Sequence, residues 1–131
     1  MASILWWKRV IAVLARLDQK GDALCCLNRY QEAILAYERA IQLHPSYAHA
    51  YEGKGNALYD LKRYQEALEA YERSIQLDSS SAVAYSGKGD ALYYLKRYQD
   101  ALLAYERAIQ LHPNFAAAQN GKSWTLWQLG I

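Results

Sequence analysis

The chain has 131 residues, 53% of them hydrophobic and 21% charged, so it has the length and apolar content to bury a core and is not intrinsically disordered. Only 2 Pro and 7 Gly disfavour a loop-rich chain, and a formal charge of +2 does not suggest a dedicated nucleic-acid binder. The two cysteines, Cys25 and Cys26, are adjacent, which provides neither a disulfide framework nor the four ligands of a structural zinc site.

The first element is helical from residue 4 onward. Ile4-Leu5-Trp6-Trp7 precedes Lys8-Arg9, the reverse of the charge-then-apolar order of a signal peptide, and Arg16 cuts the apolar run after them. No stretch approaches the roughly 20 apolar residues that span a bilayer, so a soluble, cytoplasmic protein is expected. Ile4, Trp7, Ile11 and Leu14 form one helical stripe, and Trp6, Val10, Val13 and Leu17 another. No breaker separates residues 4–20, so this helix can run straight into the next part of the chain.

From there on the sequence repeats. Arg29-Tyr30-Gln31-Glu32-Ala33 recurs as Arg63-Tyr64-Gln65-Glu66-Ala67 and Arg97-Tyr98-Gln99-Asp100-Ala101, and Tyr37-Glu38-Arg39 recurs at 71–73 and 105–107, a period of 34 residues. Such a period with helical patterning predicts a solenoid of helix–turn–helix units. In the middle copy a first helix is predicted over 48–61, with Tyr51, Gly55, Leu58 and Leu61 on one face. Lys62-Arg63 marks the turn, and a second helix covers 64–77. His44-Pro45-Ser46 and His112-Pro113-Asn114 punctuate the copies, with Pro ending one helix and Ser or Asn able to cap the next. Asp78-Ser79-Ser80-Ser81 lacks the proline, and a looser junction is expected there. Residues 30–45 and 98–113 differ only at Glu32/Asp100 and Ile34/Leu102, as recent duplication or consensus design would leave them.

Gly21, Gly55 and Gly89 fall inside first helices. A helix-interior Gly costs up to about 1 kcal/mol against Ala, so three in register imply a close helix–helix approach. Tyr37, Tyr71 and Tyr105, also in register, are read as core. Gly53-Lys54-Gly55, Gly87-Lys88-Gly89 and Gly121-Lys122-Ser123 look like fragments of a phosphate loop, but the required earlier glycine is Ala116, within a helical pattern. His44 and His112 share one linker slot, and His49 lies roughly 15 Å along the axis from Cys25, so no Cys–His pair forms. Neither paired carboxylates nor a Ser–His–Asp arrangement appears. The chain is expected to be a non-enzyme without cofactor or metal.

This pattern resembles the tetratricopeptide repeat, with three copies at 14–47, 48–81 and 82–115, a helical extension at 1–13 and a capping first helix at 116–131. Gly55, Leu58, Ala67 and Tyr71 carry the match in the middle copy, Gly89, Leu92, Ala101, Tyr105 and Pro113 in the third, and Gly21, Leu24, Ala33, Tyr37 and Pro45 in the first. Lys20, Lys54, Lys88 and Lys122 depart from it where the family is apolar, and their stems are expected to snorkel. The resemblance implies an all-α, right-handed α-solenoid of antiparallel helix pairs whose first helices line a concave groove for a partner peptide. Carried over by position, Asp22 faces the groove from the first copy, Glu52, Asn56 and Tyr59 from the second, Asp90, Tyr93 and Tyr94 from the third, and Asn120, Trp124 and Trp127 from the last helix. Asp18, His49, Asp60, Val83 and Ser86 take the same faces. Some family members clamp a carboxylate with Lys, Asn and Arg; Asp18, Asp22, Val83 and Gly87 stand there, so that clamp is absent. A groove acidic at one end and aromatic at the other suits a basic peptide, and its carboxylates repel RNA phosphates.

Solenoid termini normally carry polar faces. Here Trp6, Trp7, Val10, Ile11 and Leu14 at one end, and Trp124, Trp127, Leu129 and Ile131 at the other, suggest self-association into a homo-oligomer. Residues 4–13 folding back over the solenoid, or lying on an acidic membrane with Lys8, Arg9 and Arg16 outward, are the alternatives. The expected function is a protein-interaction scaffold. The alternative is a structural or engineered assembly module with no dedicated peptide.

Overall fold

The computed structural model describes residues 2–131, and they form seven helices: α1 (Ala2–Cys26), α2 (Tyr30–Leu43), α3 (Ala48–Asp60), α4 (Tyr64–Leu77), α5 (Ala82–Tyr94), α6 (Tyr98–Leu111) and α7 (Ala116–Gln128). No strand occurs among the described residues. Each helix packs on its sequence neighbours. The first helices also touch one another (α1 on α3, α3 on α5, α5 on α7), whereas α2, α4 and α6 do not approach each other among the described residues. That asymmetry is curvature: α1, α3, α5 and α7 form the inner, concave wall, and the molecule is an all-α repeat solenoid.

The turns between paired helices are built alike. Asn28, Lys62 and Lys96 take left-handed backbone conformations (φ 60°, 62° and 63°). Lys62 N–H bonds to Tyr59 O (2.9 Å) and Arg63 N–H to Leu58 O (2.9 Å), closing the carbonyls at the end of α3, and the same pattern recurs at 96–97. Arg29, Arg63 and Arg97 then bind Glu32, Glu66 and Asp100 three residues on, an exposed pair worth little by itself. Contrary to expectation, Ser46 and Asn114 do not cap the helices after them; Tyr47 and Phe115 hold those positions and the first N–H groups have no side-chain acceptor. Among the described residues Ser81 alone caps a helix, accepting Ala84 N–H at 3.1 Å. The 78–81 junction is also not the loose one: Ser80 donates twice to Asp78 and Ser81 Oγ donates to Glu52 at 2.6 Å. These side-chain bonds supply locally what proline supplies in the other two linkers.

The core repeats with the sequence. Ala33, Ala40, Ala67, Ala101 and Ala108 are fully buried, and Tyr37, Tyr71 and Tyr105 are only 1–2% exposed despite their size. Each tyrosine ring lies between two glycines on successive first helices. Tyr37 fits between Gly21 and Gly53, Tyr71 between Gly55 and Gly87, and Tyr105 between Gly89 and Gly121. A Cβ on any of Gly53, Gly87 or Gly121 would stand 2.4 Å from the ring of the preceding repeat. The Gly-Lys-Gly segments are therefore ring slots between repeats. Lys54 and Lys122 between them reach back to Glu38 (3.4 Å) and Glu106 (3.8 Å) on the preceding second helix, which is how those stems leave the core edge.

For residues 4–13 to fold back over the solenoid the first helix would have to break, and α1 does not: it is one continuous helix of 25 residues. Ser3-Ile4-Leu5-Trp6-Trp7-Lys8-Arg9-Val10-Ile11 has the pattern of a second helix, Ala33-Ile34-Leu35-Ala36-Tyr37-Glu38-Arg39-Ala40-Ile41, thirty residues away instead of thirty-four. The four-residue linker is missing, so this second-helix-like segment is fused directly to the following first helix and cannot turn back beside it. Leu14 was expected in the exposed stripe and is instead core, 8% exposed, and Val10 is half-buried against that core. Trp6, Trp7 and Ile11 remain exposed. Trp7 leans on His44, with ring centroids 5.8 Å apart.

The outward helix faces at the two ends of the stack carry polar residues at the contact positions, beside the exposed Trp127 and Ile131. In α3, Ala50 and Gly53 meet the preceding second helix; in α1 the same places hold Arg16 and Gln19, both exposed. In α5, Tyr85 and Gly89 lie on the side of the following second helix; in α7 those places hold Gln119 and Ser123, also exposed. These are the polar terminal faces a solenoid uses. Trp124 lines the concave side and packs edge-on with Trp127 (6.4 Å).

Candidate functional site

The core tyrosines reach through the wall, and their hydroxyls emerge on the concave face. Tyr37 donates to Asp22, Tyr71 to Asn56 Oδ1 at 2.5 Å, and Tyr105 to Asp90. All three acceptors share one slot in their repeats. Packing that holds the repeats together therefore also fixes the groove's polar side chains. Because Asn56 accepts through its carbonyl oxygen, its amide N–H groups stay free to bond a peptide backbone.

At the α1 end the groove is acidic. His49 Nδ1 meets Asp18 at 2.6 Å, and its Nε2 lies 4.0 Å from Glu52. Burial is the largest influence on His49 and pulls its pKa down. The Asp18 hydrogen bond and the charges of Asp18, Glu52 and Asp22 outweigh it, leaving the imidazole above its usual value. Asp18, Asp22 and His49 bring one donor atom each within 4.8 Å of one another, so these are the residues that could hold a metal ion. In the structure their donors are engaged with each other and with Tyr37.

Two concavities continue toward α7. One, of about 400 Å³, includes Asn56, Tyr59, Asp60, Val83 and Asp90 in its lining; the other, of about 280 Å³, includes Tyr59, Asp90, Tyr93, Tyr94, Asn120 and Trp124. They share Tyr59 and Asp90 and make one trough. Burial raises the pKa of Asp90, partly offset by Tyr105's hydroxyl, and raises that of Asp60. Burial and the Asp90 charge push the phenol of Tyr59 well above its ordinary range.

The structure thus brings together Asn56, Tyr59, Asp90, Tyr93, Tyr94, Asn120 and Trp124. Asp22 and Glu52 stand at the acidic end, with Glu52 held by Ser81. Trp127 is 70% exposed and flanks Trp124 without lining either concavity, and Ser86 is buried. Two residues that matter were read only as repeat markers. Tyr64 stacks on Tyr94 at 4.9 Å with planes 9° apart, and Tyr98 meets Tyr93 edge-on at 5.4 Å. They fix the aromatic wall from behind. Their recurrence after Arg63 and Arg97 was the available signal.

The family profile described as Tetratricopeptide repeat matches residues 19–82, and a second profile of the same description matches 82–115. The chain belongs to the tetratricopeptide-repeat family. No curated protein sequence matches it. Among solved structures, the first tetratricopeptide domain of the human RPAP3 protein is similar, with a TM-score of 0.88 at 26% identity over 90% of this chain and 93% of that one. The first such domain of Spaghetti (RPAP3), bound to the HSP90 peptide SRMEEVD, gives 0.87 at 26% identity, over 90% and 94%. MamA gives 0.83 at 25%, over 89% and 68%. This tetratricopeptide-repeat chain is a protein-interaction scaffold in kind, and none of its described helices is long and apolar enough to cross a membrane.

Proposed function

We propose that the chain is a non-catalytic scaffold whose concave groove holds an extended, basic segment of a partner protein. The observation that carries this reading is the set of uncompensated carboxylates. Asp22, Asp60 and Asp90 face the groove, and among the described residues no lysine or arginine lies within 4.0 Å of them. The peptide in the Spaghetti complex, SRMEEVD, carries three acidic residues and one basic. A groove with this charge disfavours such a tail. Titration calorimetry with an alternating Arg-Gly nonapeptide, an alternating Glu-Gly nonapeptide and SRMEEVD tests it. Binding of the basic peptide on the order of tenfold or more above both acidic ones is expected; the reverse order would reject the reading. A reducing, cytoplasmic setting suits the free thiols Cys25 and Cys26.

A second reading concerns α1. Ile4, Leu5, Trp6, Trp7 and Ile11 are all more than 40% exposed on its projecting part, which supports self-association through that helix in place of the two-ended contact the apolar ends suggested. Light scattering over a dilution series should show a dimer or larger species that Trp6→Glu/Trp7→Glu returns to monomer. A monomer at every concentration rejects it, and flotation with anionic vesicles would assign the helix to a membrane.

A further inference from the structure

Asp22, Asn56 and Asp90 share one slot and each meets a core tyrosine hydroxyl, but only Asp90 is followed by two aromatic groove residues. In the first repeat the neighbouring groove positions are Cys25 and Cys26; in the third they are Tyr93 and Tyr94, with Tyr59 and Trp124 completing the ring from α3 and α7. The result is a pocket of about 280 Å³ with aromatic walls and one carboxylate in its lining.

We propose that this pocket is a guanidinium subsite that takes an arginine side chain of the bound peptide. The inference rests on the reading of the groove as a peptide site. Three features select that ligand. Asp90 Oδ1 takes the Tyr105 hydroxyl, leaving the second oxygen to accept a guanidinium N–H. Asn120 adds a carbonyl oxygen on the same pocket. The walls of Tyr59, Tyr93, Tyr94 and Trp124 offer π-faces to a flat cation, and Tyr94 is backed by its stack on Tyr64. An apolar or neutral occupant would bury the Asp90 carboxylate without a counter-charge, which is costly. A lysine ammonium satisfies the charge, but it is compact, strongly hydrated and cannot stack; guanidinium is planar and weakly hydrated. Arginine already lies over tyrosine elsewhere in this chain, with Arg73 5.9 Å from the Tyr51 ring centre and Arg107 at the same distance from Tyr85.

Two measurements test it separately from the groove. The first adds N-acetylarginine methylamide to labelled protein and follows the Trp124 indole and Asn120 amide resonances. Both should shift, with the neutral citrulline analogue inert and the shifts lost in Asp90→Asn but kept in Asp22→Asn, the same change in a slot followed by Cys25 and Cys26 in place of Tyr93 and Tyr94. The second compares alternating Arg-Gly and Lys-Gly nonapeptides by calorimetry. The arginine peptide should bind on the order of fivefold or more tighter, and Asp90→Asn should remove that preference. Shifts at Trp124 without binding of either nonapeptide would keep the pocket and remove the groove reading. Both nonapeptides binding equally, with Trp124 silent to the arginine amide, would overturn the pocket and leave the groove reading intact. Wild-type-like circular dichroism of each variant shows that a loss is local.

Discussion

Replacing Gly87 by alanine is expected to destabilise the protein by about 2–3 kcal/mol, although alanine is the better helix former. The two effects oppose each other and their sizes decide the sign. Helix propensity favours Ala by up to about 1 kcal/mol. Against that, the new Cβ would lie 2.4 Å from Tyr71 Cζ and 2.5 Å from Cε1. The ring cannot retreat, because Gly55 closes the other side, where a Cβ would already stand 2.9 Å away. Its hydroxyl is also tied to Asn56. Accommodation must therefore come from separating α4 and α5, which opens the interface between repeats. Gly55→Ala presses on the same ring from within the repeat and leaves more room, so its cost should be the smaller. Urea unfolding of the two variants checks both the size and the order. A Gly87→Ala protein as stable as the parent would show that the slot is not tight.

The register of the 34-residue repeat carried most of the fold, because hydrophobic period, turn residues and small residues agree in every copy. It located the helices of the middle copy almost to the residue. It also read Gly21, Gly55 and Gly89 as close contacts, and they are. It failed to read Gly53, Gly87 and Gly121 the same way, because the partner ring sits in the previous repeat. A contact between copies is invisible within one copy. The termini failed for a related reason. A stripe such as Ile4, Trp7, Ile11 and Leu14 shows that a helix has an apolar side but not where its neighbour stops. In the structure α2 covers α1 only as far as Leu14 and Val10. At α7 the tryptophans are read both as groove residues and as part of an apolar end; the helix turns Gln119 and Ser123 toward the open end and keeps Trp124 in the groove. The groove positions came through family position alone. What position could not supply was the supporting layer, the tyrosine hydroxyls beneath Asp22, Asn56 and Asp90 and the stacked Tyr64 behind Tyr94.

Tyr71→Ala should cost about 4 kcal/mol. The ring is 2% exposed, fills the space between α3, α4 and α5, and has glycines against both faces, so nothing nearby can collapse into its place. Tyr71→Phe separates the ring from its hydroxyl: it deletes only the bond to Asn56, whose side chain is exposed and can turn to water, and should cost about 1 kcal/mol. The larger consequence is on cooperativity. A solenoid unfolds as one unit only while its interfaces are strong relative to its repeats. Tyr71 belongs to the second repeat and Gly87 to the third, so the alanine variant weakens the coupling between halves of the molecule. With Trp6 and Trp7 changed to Phe, fluorescence reports the α7 end through Trp124 and Trp127, while circular dichroism reports all helices. In that background the two urea transitions should coincide for the chain that keeps Tyr71 and for Tyr71→Phe, and separate for Tyr71→Ala. Coincident transitions in the alanine variant, with a loss near that of the phenylalanine variant, would mean that the ring is not what joins the second repeat to the third.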